Sequence, residues 1–239
     1  VSTSDYTGKH IVIFGGSSGI GLATAAAARA LGADVTLIGR SSERLNAAAQ
    51  TLDGARTRVA DITDRQAVDA ALSDRGRIDH LVVTAGGFAG GDLRGSDPDA
   101  LFGTFRVVVG GALYAIRAAL PSMPSNGSIV LTGGLLSDRP AAGMAVLSAA
   151  VRAVEALAVG LALELKPIRV NVVSPGFVDT PQYDVFGDGR GPFLAEQAEK
   201  LPGGRIGRAD EVADAILLLL GNAYMNAEVL HIDGGGRFI

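Results

Sequence analysis

Gly15, Gly19 and Gly21 punctuate the run His-Ile-Val-Ile-Phe-Gly-Gly-Ser-Ser-Gly-Ile-Gly between His10 and Gly21. A β-branched run enters this loop, and an Ala/Leu-rich stretch, Leu22 to Leu31, leaves it. Glycines between a strand and a helix permit a tight turn and a close approach of backbone to a diphosphate. The helix that follows offers unpaired N–H groups and the positive end of its dipole to the same anion. Ser17, Ser18 and Ile20 complete the loop. The glycine spacing alone is a weak signal; the flanking strand and helix are what point it towards a nucleotide. About twenty residues further on, where a carboxylate would accept hydrogen bonds from a free ribose 2′-hydroxyl, the chain reads Gly39-Arg40-Ser41-Ser42. A guanidinium followed by a hydroxyl suits a 2′-phosphate; the competing reading is a solvated loop arginine. The pattern favours NADP(H) over NAD(H).

The elements that must hold these groups alternate along the chain. Apolar, β-branched runs at His10–Phe14, Asp34–Ile38, Thr57–Ala60, His80–Thr84, Ser128–Thr132, Arg169–Val173 and Val229–Ile232 read as strands. Helical patterns lie near 20–31, 42–52, 64–73, 97–120, 141–165 and 209–220. Strands apolar throughout and separated by helices predict a parallel sheet covered on both faces. Seven of them predict a three-layered, doubly wound α/β domain of the Rossmann type. The 239 residues, 48% of them apolar, suffice for one such domain over 1–239. Thr180 to Arg208, rich in Gly, Pro and charge, reads as one long irregular segment. A loop of that length in a compact domain is expected to act as a lid.

With a Gly-x-x-x-Gly-x-Gly spacing, the sequence resembles the short-chain dehydrogenase/reductase superfamily, over essentially its whole length. Asp61-Ile62, after the third strand, looks like the family's adenine contact. Thr84-Ala85-Gly86-Gly87 stands where the family has Asn-Asn-Ala-Gly, and the Asn171–Thr180 run, Asn-Val-Val-Ser-Pro-Gly-Phe-Val-Asp-Thr, is similar to the segment that closes over the nicotinamide. The tail Ile232-Asp233-Gly234-Gly235 resembles the family's C-terminal Asp-Gly-Gly. The resemblance implies further cofactor contacts at Ala85, Gly86, Gly87, Thr132, Pro175, Gly176, Val178 and Thr180, beside those of the glycine loop and Arg40-Ser41.

The same resemblance implies a proton donor: a tyrosine whose pKa is lowered by a lysine four residues on, along one helix face. A serine one strand earlier and an asparagine on the preceding helix complete that apparatus. Here Tyr6, Tyr114, Tyr183 and Tyr224 all lack a lysine at that spacing, because the only lysines are Lys9, Lys166 and Lys200. In register, the tyrosine position falls on Leu147, the lysine on Val151, the serine on Gly134 and the asparagine on Val108. None of these side chains can give a proton. Losing general acid assistance removes roughly 10²–10⁴-fold in rate, which impairs carbonyl reduction without forbidding slow hydride transfer. Substitutes are weak. The hydroxyls of Thr132, Ser137 and Ser148 are poor acids, Arg139 and Arg152 stay charged, and Tyr183 reads mainly as a lid aromatic. His10, His80 and His231 sit at strand starts or edges without an acidic or histidine constellation. They read as structural, and no metal site is expected.

Composition limits the partners. A net charge of −4 with no basic stretch argues against nucleic acid. The absence of cysteine excludes a disulfide scaffold and thiolate metal sites. Ile11–Phe14 is too short for a signal-peptide core. Ala141–Leu165 carries Arg152 and Glu155, so it reads as a buried or interface helix rather than a membrane span. The expectation is a soluble, cytoplasmic protein that binds a nicotinamide dinucleotide and a small molecule of unknown identity. Its apolar helix predicts a homo-oligomer, a tetramer by resemblance, or a hetero-oligomer with an active relative. Two functional readings stay open. One is a catalytically impaired NADP(H)-binding sensor or regulatory subunit; the other is an active NADP-dependent reductase of carbonyls or enones with a non-standard donor.

Overall fold

Strand β1 (His10–Phe14) is buried from Ile11 onward, as an apolar strand must be at the centre of a sheet covered on both faces. The computed structural model describes residues 5–74, 76–86 and 90–239. Around β1 stand β2 (Asp34–Gly39), β3 (Arg56–Val59), β4 (His80–Val83), β5 (Ser128–Thr132), β6 (Arg169–Pro175) and β9 (Val229–Ile232). They form one seven-stranded sheet in the order β3-β2-β1-β4-β5-β6-β9. Every pairing is parallel. The chain reverses its direction of winding between β1 and β4, and the crevice at the carboxyl ends of those strands is where an open α/β sheet binds ligands.

Because alternate side chains of a strand point to opposite faces, β1 feeds two cores. Val12 and Phe14 join Leu81, Ile129, Ala115 and Val154 on one face. Ile11 and Ile13 join Leu37, Val82, Val130 and Ile216 on the other. Helices α5 (Gly111–Ala119) and α6 (Ala145–Glu164) contribute to the first core. Helices α1 (Gly19–Ala30), α2 (Ser42–Thr51) and α8 (Ala209–Gly221) contribute to the second. The short helix α3 (Arg65–Ala71) is capped by Asp64, whose carboxylate accepts from the N–H groups of Gln66 and Ala67.

Four expectations need correction. The segment after Thr180 is not irregular: a run of tight 3₁₀ turns (Pro181–Gly189) leads into α7 (Arg190–Lys200). The glycines and proline obscured an apolar stripe at Phe193, Leu194, Ala198 and Leu201, spaced to cover one helix face. Two short strands, β7 (Val178–Asp179) and β8 (Gly207–Arg208), pair at the base of this segment. The predicted helix at 97–120 is interrupted. Helix α4 (Pro98–Phe105) and α5 are joined by a wide π-helical turn, Arg106–Gly110. Finally, β3 is not apolar throughout: as an edge strand it leaves Arg56, Arg58 and Val59 exposed.

Candidate functional site

The glycine loop is held against the sheet so closely that side chains would not fit. Gly15 has φ +85° and Gly19 φ +52°, conformations that favour glycine. A Cβ at Gly15 would lie 2.7 Å from the Ala85 nitrogen; one at Gly21 would lie 2.6 Å from Thr84 Oγ1 and collide with the Gly15 carbonyl oxygen. Thr84 Oγ1 donates to the Phe14 carbonyl at 3.0 Å, tying β4 to the end of β1. Ser18, at the head of α1, makes no side-chain cap. The first N–H groups of the twelve-residue helix therefore face the cleft without that competitor.

This loop is one wall of a cavity of about 730 Å³ that also touches Arg40, Ser41, Asp61, Ile62, Ala85, Gly86 and Thr180. Arg40 forms no ion pair within 4 Å among the described residues. Its charge helps the two hydrogen bonds from Thr63 hold the Asp61 carboxyl below the usual carboxylate range; those bonds, from the backbone N–H and the hydroxyl, are the larger cause. Ser41 has a structural duty that the sequence did not reveal: its hydroxyl accepts from the Arg44 N–H at 3.2 Å and caps α2. A hydroxyl keeps its own proton to donate while capping, so this duty leaves a phosphate contact open. Arg44, one turn into α2, lines the same cavity and was missed. A guanidinium at the first turn of a helix next to Arg40 was its only available signal. A dinucleotide with a 2′-phosphate fits this donor set: a glycine cradle, a helix N-terminus and two arginines.

A second cavity, of about 440 Å³, opens beside the first. Ile20, Thr84, Ala85, Gly86 and Gln182 line both. The structure brings Val108, Gly134, Leu147 and Val151 together on the wall of this second cavity. Leu147 and Val151 lie one turn apart on α6, each 7% exposed. Val108 sits in the π-helical turn, a distortion often retained at functional sites. Thr132, Pro175 and Gly176 also line this cavity rather than the first. Val178 lines neither; it is buried in the core, so only its backbone is available to a cofactor. Gly87 lies outside the described residues.

Among the described residues, no Asp, Glu, Lys, Arg or His lines the second cavity, and Tyr183 is its one titratable side chain. Burial pushes the Tyr183 phenol up to about 12. Tyr183 belongs to an aromatic cluster of the 180–200 segment: Phe186 and Phe193 stack at 4.8 Å, and Tyr183 and Phe193 meet at 5.8 Å. Arg190 pairs with Asp179 and with Asp184, pinning the same segment at its base. Of the other hydroxyls considered, Thr132 lines the cavity, while Ser137 and Ser148 do not.

The histidines lie elsewhere. His80 is buried with Nδ1 2.8 Å from Ser128 Oγ. His10 bridges the Arg77 carbonyl and Thr36 Oγ1. His231, expected to lack an acidic neighbour, has Nε2 2.9 Å from Asp138 Oδ2, and Asp138 in turn accepts from Arg152. That chain continues to the buried Glu155 through Arg152.

Fold and cleft together define a dinucleotide-binding α/β protein of the doubly wound class. A family model described as "Enoyl-(Acyl carrier protein) reductase" matches residues 15–236. The chain is 33% identical over 236 residues to the "Cyclic-di-GMP-binding biofilm dispersal mediator protein" of Escherichia coli (strain K12), covering 96% of this chain and 97% of that one. It is 32% identical over 240 residues to the "3-oxoacyl-[acyl-carrier-protein] reductase" of Homo sapiens, covering 97% and 99%. Among solved structures, BdcA in complex with NADPH superposes with a TM-score of 0.87 at 32% identity, covering 97% of this chain and 95% of that one. The chain belongs to the short-chain dehydrogenase/reductase superfamily.

Proposed function

We propose that this protein binds NADP(H) in preference to NAD(H) and has lost the family's acid–base chemistry, serving as a redox-state sensor or a regulatory subunit. The observation that carries this reading is the composition of the 440 Å³ cavity. The four positions matched to the family's proton-transfer residues meet there, and they are Val108, Gly134, Leu147 and Val151. The glycine cradle and the Arg40–Arg44 pair retain what the phosphates need. When bound, NADPH would supply a hydride. Around the acceptor this chain supplies apolar contacts and excludes water, but it has no ammonium to lower a phenol's pKa. NADPH bound by BdcA supports the choice of cofactor. Calorimetric titration with NADPH and NADH, together with NADPH oxidation over a panel of aldehydes, ketones, quinones and enones, tests both halves.

One observation favours a second reading, an active NADP-dependent oxidoreductase. Tyr183 brings a phenol to the cavity wall. Raised to about 12 by burial, it is a hydrogen-bond donor throughout the physiological range and a weak acid. Tyr183→Phe separates the readings: any turnover that depends on this phenol disappears with it. We also propose a homo-oligomer built on the outer faces of α5 and α6, where Leu113, Val159 and Leu163 remain exposed in the single chain.

A further inference from the structure

We propose that the 440 Å³ cavity takes an uncharged, largely apolar ligand whose polar end is read by the carboxamides of Gln182 and Gln197. The inference rests on the reading above, in which this cavity lies at the nicotinamide end of the cleft.

Charge decides the class. A carboxylate, phosphate or ammonium placed here would leave water and meet no counter-charge from the protein, because no ionised side chain among the described residues lines the cavity. Burying an unpaired charge costs more than the apolar contacts return. The wall is built instead from Leu147, Val151, Met144, Phe177 and Phe193. The volume is that of a small-molecule pocket, whose usual range is about 300–1,000 Å³.

Orientation comes from the 180–200 segment. Gln182 stands where the two cavities join, and Gln197 projects from α7. Neither carboxamide has a hydrogen-bond partner among the described residues. A carboxamide offers both donors and an acceptor, so the pair matches a ketone, amide or hydroxyl on an apolar body. Both belong to the stretch pinned by the aromatic cluster and by Arg190, which fixes where the two carboxamides stand.

The test uses three fluorescent naphthalenes and the full chain saturated with NADP⁺: uncharged N-phenyl-1-naphthylamine, its sulfonated analogue 8-anilinonaphthalene-1-sulfonate, and the uncharged ketone 6-propionyl-2-dimethylaminonaphthalene. The uncharged amine should bind at least tenfold more tightly than the sulfonate. Ala142→Trp, at an exposed position where the ring fills the cavity, should weaken the amine at least tenfold with NADP⁺ affinity unchanged, and Phe193→Asp, which charges its wall, should weaken the amine at least tenfold as well. The double variant Gln182→Leu/Gln197→Leu should weaken the ketone at least fivefold and leave the amine within twofold. Equal or tighter sulfonate binding overturns the proposal, as does amine binding indifferent to both wall variants. Failure of NADP⁺ itself to bind, read separately by calorimetry, sinks the cofactor reading instead.

Discussion

A Cβ placed on Gly134 would lie 3.9 Å from Cγ1 of Val151, and the extended backbone of Gly134 (φ 169°, ψ 160°) accepts any side chain. The loop after β5 and the second turn of α6 are therefore already spaced for a hydroxyl and a longer side chain to meet. Leu147, one turn before Val151, faces the same cavity. The triple variant Leu147→Tyr/Val151→Lys/Gly134→Ser should bind NADPH more tightly and gain carbonyl reductase activity over a near-zero background. The gain will be limited by Val108, which leaves the new lysine without a polar relay. An unpaired buried ammonium also costs stability, on the order of several kcal/mol. Single-turnover NADPH oxidation by parent and variant checks this; no gain in a folded, NADPH-binding variant would count against the assignment of these positions.

The two arginines at the adenosine end should carry the cofactor preference. Charge-assisted hydrogen bonds are worth about 1.5–3 kcal/mol, or roughly tenfold or more in affinity. Arg40→Ala and Arg44→Ala should each weaken NADPH by about that factor and leave NADH nearly unchanged. Calorimetry that found NADPH and NADH equal in the parent, or NADPH untouched by both substitutions, would remove the basis for the preference.

Much of this was legible in the chain because the signals are local. β1, the glycine loop and Arg40 all lie within a stretch of about thirty residues whose pattern is dictated by one strand, one turn and one helix. The spacing of four residues puts Leu147 and Val151 on one face of α6. What the sequence hid depends on distant partners. The aromatic cluster of Phe177, Tyr183, Phe186 and Phe193 needs β7 and α7 to be folded together. The Asp138–His231 pair joins residues from the loop after β5 and from β9. The π-helical turn at Val108 leaves no mark in composition, because its side chains would suit an ordinary helix equally well.

Gly21→Ala tests the cradle itself. The added Cβ meets Thr84 Oγ1 at 2.6 Å and the backbone of Gly15, atoms anchored by β1 and β4 that cannot yield cheaply. Overpacking of this kind costs about 1–3 kcal/mol. The expected outcome is a lower thermal midpoint together with loss of dinucleotide affinity, whereas Gly103→Ala, with open space around its Cβ, should change neither. Scanning calorimetry with and without NADP⁺ reads both effects.

His80 predicts a pH dependence. Burial lowers its pKa from 6.5 to about 4, outweighing the favourable charge of Asp79. The unfolded chain takes up a proton below about pH 6.5 that the folded chain refuses until about pH 4. Stability from this group is therefore full above pH 6.5 and falls through that window, by up to about 3 kcal/mol. Urea midpoints at pH 7 and pH 5 should differ, and His80→Gln should flatten the difference. A parent whose midpoint is constant between those pH values would refute the burial argument.

The account stands most directly on the turnover number of the parent protein, measured by NADPH oxidation at calorimetrically established saturation against the aldehyde, ketone, quinone and enone panel. The proposed cleft, with its phosphate ligands kept and no activated acid beside the acceptor, predicts NADPH binding with turnover far below one per second for every carbonyl. Turnover at ordinary enzyme rates, roughly 1–10³ per second, would contradict it and show that the wall of Leu147, Val151, Gly134 and Val108 is not where the proton is supplied.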